Sequence, residues 1–239
     1  IKDSTLTGGC WGLYKNGSYN AQTITADGCT ITGGEQGAYL SGSVSNETGG
    51  NKSTATFTEC IITGATGIET KYVNVTITDC TIEATDEKLS LVENSNGSTT
   101  GGFSVVASRN GTSDPDMSST TITIESGTFT GPVGLTVVDL KITTAPAEAT
   151  WDIQGGYFDT ITPLLVGDDA VFALTSEDSM DNYSKITKLT VKGTIGFVAS
   201  MDFTGVTTFN VDEGAIIYAT EGTLDLSAET TTITEGCQI

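Results

Sequence analysis

The chain has no histidine, and its 10 lysines and arginines stand against 30 aspartates and glutamates, a formal net charge of −20. Without an imidazole there is no Ser–His or Cys–His nucleophile pair and no histidine-bearing zinc site. Positive charge this scarce excludes a nucleic-acid surface and an anionic-membrane surface, both of which need lysine and arginine against phosphate. Proline occurs 4 times and aromatic residues make up 7% of the chain. No apolar run approaches the roughly 18 residues that cross a bilayer, so no membrane insertion is expected. No segment keeps a helical period over three turns, and no phosphate-cradling glycine loop occurs. No signal peptide precedes Ile1 and no methionine opens the chain, so a processed protein or an excised piece is expected.

What is present points to strands. Of 239 residues 37% are hydrophobic, enough for a substantial core, and residues 1–239 are expected to form one domain. Abundant threonine with 29 glycines suits short strands and tight turns. Seven of the ten asparagines stand in Asn-x-Ser/Thr acceptors: Asn16, Asn46, Asn51, Asn74, Asn96, Asn110 and Asn182. With the acidic composition, they lead us to expect a secreted protein, extracellular or at the cell surface.

One cassette recurs: threonine alternating with apolar residues, a small residue at a corner, then a large apolar residue two positions on. It reads TITADGCTITGG around Cys29, TATFTECIITG around Cys60, VTITDCTIEA around Cys80 and TITIESGTFTG around Gly127. Further copies surround Gly156, Gly193, Gly214 and Cys237, and the first follows Ser4. The apolar partners are Leu6, Ile31, Ile62, Ile82, Phe129, Phe158, Ile195, Ile216 and Ile239. Three residues before the corner stand Phe57, Ile77, Ile124, Ile153 and Val211, on the same face by period-2 alternation. The steps between corners are 25, 31, 20, 47, 29, 37, 21 and 23 residues. The longest reads as two coils, with a strand at residues 101–108 in the hidden one. The expected fold is therefore all-β: a right-handed parallel β-helix of about ten coils with surface loop insertions. Its interior corner ladder would be Cys29, Cys60, Cys80, Gly127, Gly156, Gly193, Gly214 and Cys237.

These cassettes resemble the right-handed parallel β-helix superfamily, which includes the pectate lyases. In character they are closest to its non-catalytic cell-surface and adhesin repeat proteins of bacterial type. For the lyases the resemblance implies an arginine or lysine base with calcium held by aspartates. The one arginine, Arg109, lies in SRNGTSDPDMSS with Asp114 and Asp116, where a self-capping turn accounts for the same letters. Hydrolysis by paired carboxylates needs two that face each other, whereas the one adjacent aspartate pair, Asp168–Asp169, points to opposite faces of a strand. No catalytic residue and no required cofactor is expected. Calcium is the one ion considered, because Glu35, Glu47, Glu59, Asp79, Glu83, Asp86, Glu87 and Glu93 load the first half with carboxylates.

The five cysteines fit no zinc spacing. Stacked corners bring Cys60 and Cys80 within disulfide range, while a ladder of small buried thiols explains the same placement; the odd count leaves one thiol over. Outward pairs Thr23/Thr25, Thr56/Thr58, Thr76/Thr78, Thr121/Thr123 and Thr232/Thr234 form an array that resembles those of β-helical ice-binding proteins, broken at Asp152, Lys188 and Asn210. Trp11, Tyr14 and Tyr19, and separately Trp151 and Tyr157, either cap a coil or stack on sugar rings. Both ends fall within cassettes, so self-association or a larger surface assembly is the expected partnership, with polysaccharide as a further partner. The expected function is a non-catalytic structural or adhesive rod that assembles end to end. A calcium-assisted binder of acidic polysaccharide, or a lyase relative, is the alternative.

Overall fold

The structure is a computed structural model. It describes residues 1–17, 20–42, 52–86, 100–109, 120–139, 149–153, 156–162, 188–191, 194–197, 201–202, 208–211, 213, 216–219, 224–225 and 230–233. In chain order the strands are β1 (Thr5–Gly8), β2 (Trp11–Lys15), β3 (Thr23–Asp27), β4 (Thr30–Gly33), β5 (Gln36–Ser41), β6 (Thr54–Thr58), β7 (Ile61–Gly64) and β8 (Thr66–Lys71). Then follow β9 (Asn74–Thr78), β10 (Cys80–Ala84), β11 (Val105–Arg109), β12 (Thr120–Ile124), β13 (Gly127–Asp139), β14 (Ala149–Ile153) and β15 (Gly156–Thr162). The last are β16 (Lys188–Val191), β17 (Thr194–Phe197), β18 (Met201–Asp202), β19 (Thr208–Val211), β20 (Ile216–Ala219), β21 (Leu224–Asp225) and β22 (Thr230–Ile233).

The fold is all-β, with parallel strands in stacked sheets. An 8-stranded sheet runs β3–β6–β9–β12–β14–β16–β19–β22. A 12-stranded sheet runs β1–β4–β7–β10–β13, continues from β13 through β15 and β17 to β20, and returns through β11–β8–β5 to β2. Each passage of the cassette lays a strand beside its counterpart from the passage before, an arrangement compatible with a parallel β-helix.

Register follows the apolar alternation. Ala26, Phe57, Ile77 and Ile124 align across the first sheet, and Ile31, Ile62, Ile82 and Phe129 across the second. All eight are 0% exposed. Burying each large side chain contributes roughly 1.5–3 kcal/mol, and a one-residue slip would turn every one outward. The corner after β4 is tight enough to require glycine. A Cβ on Gly33 would stand 1.8 Å from the Gln36 carbonyl oxygen, and its register partner Gly8 meets the Trp11 oxygen at 1.8 Å.

Two expectations are corrected. The 47-residue step is one passage, because Thr76 pairs with Thr123 and Ile82 with Phe129 directly. Residues 105–109 lie elsewhere, as β11 in a third arm that also holds β2, β5, β8 and the second half of β13. This arm went unpredicted because QGAYLS and TGIETK lack the threonine alternation. Secondly, Gly156 stands opposite Ile195, not Gly193, and Ile195 opposite Ile217, not Ile216. The first offset is two residues and preserves the faces; the second is a single residue, and the Ile216–Ile217 pair offers an apolar side chain in either register.

Ahead of the corners, Gly28, Glu59 and Asp79 all take left-handed backbone, with φ of 61°, 50° and 52°. A side chain costs about 1–2 kcal/mol there, more than the extra entropy glycine loses on folding. Glu59→Gly is therefore expected to stabilise the protein by about 0.5 kcal/mol. Urea titration of the two chains checks this, and a loss of stability refutes the assigned backbone.

Candidate functional site

Cys29, Cys60 and Cys80 stand immediately before β4, before β7 and at the head of β10, each 1% exposed. Every thiol donates to the carbonyl two residues back: Asp27 at 3.3 Å, Thr58 at 3.2 Å and Thr78 at 3.3 Å. The Cys60 N–H donates to Cys80 Sγ at 3.4 Å, so the ladder is stitched along the stacking direction. The three are thiols and form no disulfide. Gly127 continues the corner as the partner of Cys80; its φ of 144° and a Cβ position 2.6 Å from the Cys80 oxygen require glycine. Burial pushes the Cys60 thiol up and the Cys80 thiol up to about 12. Protonated thiols are poor nucleophiles and poor metal ligands, so this corner is packing material. Gly193, Gly214 and Cys237 lie outside the described residues. Cys10 sits half-buried at the bend between β1 and β2.

The third arm carries the unusual chemistry. Every residue of β8 is buried, including Glu69 at 0% and Lys71 at 4% exposure. Glu69 Oε1 accepts from Ser108 Oγ at 2.5 Å, and Oε2 accepts from Gln36 Nε2 and Thr100 Oγ1, both at 3.0 Å. Lys71 Nζ lies 3.8 Å from Glu69 Oε1. Gln36 Nε2 donates also to the Thr100 carbonyl at 3.1 Å, and Thr66 shares a 3.1 Å hydroxyl contact with Thr100. A buried carboxylate costs several kcal/mol unless answered this fully. The cluster thereby fastens the chain around Thr100 against β5 and β8.

An aromatic stack adjoins it. Tyr14 and Tyr39 are register partners with rings parallel to 2° and centroids 5.5 Å apart. Trp11 lies 4.5 Å from Tyr14 and 5.6 Å from Tyr39. Tyr39 is buried, and Lys71 Nζ sits 5.4 Å from its ring centre; Tyr14 is 43% exposed. Trp11 Nε1 and Gln36 Oε1 are buried without a hydrogen-bond partner, and the two residues face each other in register. The sequence marked Trp11 and Tyr14 but missed Tyr39, Gln36 and Glu69, whose strand it did not foresee. Tyr19 lies outside the described residues, and Trp151 and Tyr157 lie in β14 and β15.

On the first sheet, register sorts the threonines into columns. One holds Thr25, Thr56, Thr76 and Thr123, then Asp152, Thr190, Asn210 and Thr232. A second begins Thr23, Thr54, Asn74, with Thr121 N–H donating to Asn74 Oδ1 at 3.0 Å. Thr58 and Thr78 fall in a third, beside Asp27. The pairs Thr56/Thr58 and Thr76/Thr78 therefore stand one column over from Thr23/Thr25 and Thr121/Thr123, Thr232 falls in the column of Thr25, and Thr234 lies outside the described residues.

Among the remaining candidates, Asn16 follows β2 and Asn74 opens β9, both half-buried. Asn46, Asn51, Asn96, Asn110 and Asn182 lie outside the described residues, as do Asp114, Asp116, Asp168, Asp169, Glu47, Glu87 and Glu93. Arg109 ends β11. Glu59, Asp79, Glu83 and Asp86 are exposed and Glu35 half-buried; among the described residues no three acidic or thiol groups gather closely enough to hold a metal ion.

The thiol ladder makes a pH prediction. An unfolded thiol ionises near 9 while folded Cys80 holds its proton to about 12, so stability falls as pH climbs through that window. Denaturation followed from pH 8 to 11 should show a shallower decline for Cys80→Ala than for the parent chain. Equal slopes would contradict the burial.

Set against known proteins, the chain matches no family model, no curated protein and no solved structure.

Proposed function

We propose that this chain is a right-handed parallel β-helix serving as a non-catalytic structural or adhesive rod at the cell exterior. The observation that carries the reading is parallel register continued from β3 to β22 in one sheet and from β1 to β20 in the other. Such stacking holds opposite ends at a fixed separation and leaves long regular faces to solvent, which is what a spacer or adhesin needs. Seven acceptor sequons and the acidic composition support the exterior location. Spin labels give a direct ruler. With one label at Thr25 and the second moved from Thr123 to Asp152, Thr190, Asn210 and Thr232, the distance should grow by about 4.8 Å per strand. Distances that level off or shorten would refute the rod. Antibodies should label intact, unpermeabilised cells of the native source or their matrix; labelling that requires permeabilisation would refute the location.

The threonine columns favour a second reading, adsorption to ice. Hydroxyls and methyls repeat at about 4.8 Å between strands and about 6.6 Å along them, a regular lattice against which ordered water can register. Thermal hysteresis that disappears in Thr56→Lys is the expected result, and its absence from the parent chain disposes of this reading.

A further inference from the structure

The aromatic stack on the third arm is more elaborate than packing requires. Tyr39 forms its fixed floor, held beneath Tyr14 and beside Lys71, while Tyr14 stands well exposed, at 43%. Beside it lie one donor and one acceptor without partners, Trp11 Nε1 and Gln36 Oε1. Gln36 is 1% exposed, and its amide nitrogen is fully committed to Glu69 and Thr100, so the free oxygen is held in place. Buried polar atoms left unanswered are destabilising, and folded proteins keep few of them.

We propose that Trp11, Tyr14 and Gln36 dock a neutral glycan. The exposed Tyr14 ring takes the C–H face of a sugar, and a shift of the half-buried indole opens Trp11 Nε1 and Gln36 Oε1 to its hydroxyls. A sugar hydroxyl both donates and accepts, so one ligand group answers both atoms. An acyl chain would answer neither. The net charge of −20 repels acidic glycans, and Lys71, which borders the stack at Tyr39, is paired with Glu69. This inference rests on the adhesive reading above and names what the rod adheres to.

Trp151→Phe leaves Trp11 as the single tryptophan of the two, and therefore as a fluorescent reporter of the site. The full chain carrying that change is titrated with cellohexaose, mannohexaose and xylohexaose, with tetragalacturonate as the acidic comparison. The expected result is a saturable change in emission with at least one neutral oligosaccharide and none with the galacturonate. Tyr14→Ala should weaken binding about tenfold, the equivalent of about 1.4 kcal/mol for a lost aromatic contact, while Tyr14→Phe should bind like the parent. Tyr14→Leu serves the same purpose if the alanine variant does not fold. No response to any neutral sugar, binding of galacturonate alone, or undiminished binding by the Tyr14→Ala and Tyr14→Leu variants overturns the proposal. The spin-label distances are independent of all these outcomes, so a rod that binds no glycan and a chain that is no rod are told apart.

Discussion

Everything in this molecule depends on like residues coming to rest on like residues one strand apart. Parallel pairing by itself contributes modestly per residue. The discrimination comes from the side chains, because Phe57 over Ala26 and Ile77 over Phe57 fit only when the whole passage is in register. The same rule orders the exterior, where threonine sits above threonine, and the bends, where Gly8 and Gly33 coincide. Tightness at one bend imposes the same requirement on the neighbouring passage, so the corner glycines and thiols share a single cause.

That cause also explains what could be read from the primary structure. A residue type repeated at a corner is visible as a string, and the inward columns through Phe57, Ile77 and Ile124 were identified from alternation alone. The third arm was not visible, since β5 and β8 are buried on both faces and their letters carry no alternation. Strands covered on both sides lose the period-2 signature. With them went the neighbours that turn Trp11 and Tyr14 from a pair of aromatics into a stack with a polar border. The register changes beyond β15 escaped for a different reason: consecutive isoleucines at 216 and 217 satisfy two alignments equally.

Polar chemistry is distributed unevenly between the two faces that the strands present. The threonine columns are repetitive and mostly uncharged, with Asp27 and Asp152 as interruptions. The third arm instead concentrates a carboxylate, an ammonium and an amide beneath cover, and the carboxylate is answered by groups from distant parts of the chain. Glu69 reaches Gln36 across 33 residues and Ser108 across 39. This network fixes tertiary position where side-chain shape alone, in a strand such as β5 with its Gly37 and Ala38, specifies little.

The excursion between β10 and β11 has a consequence for how such a chain can change over generations. Neighbouring passages close a loop of 20 residues at Cys60–Cys80 and one of 47 at Asp79–Ser126. By loop-closure entropy the longer costs only about 0.8 kcal/mol more than the shorter. Lengthening a bend is thus nearly free, whereas altering a strand disturbs both neighbours at once. Novelty should accumulate at the bends while the strand pitch stays constant, so that homologous chains differ in girth far more than in pitch.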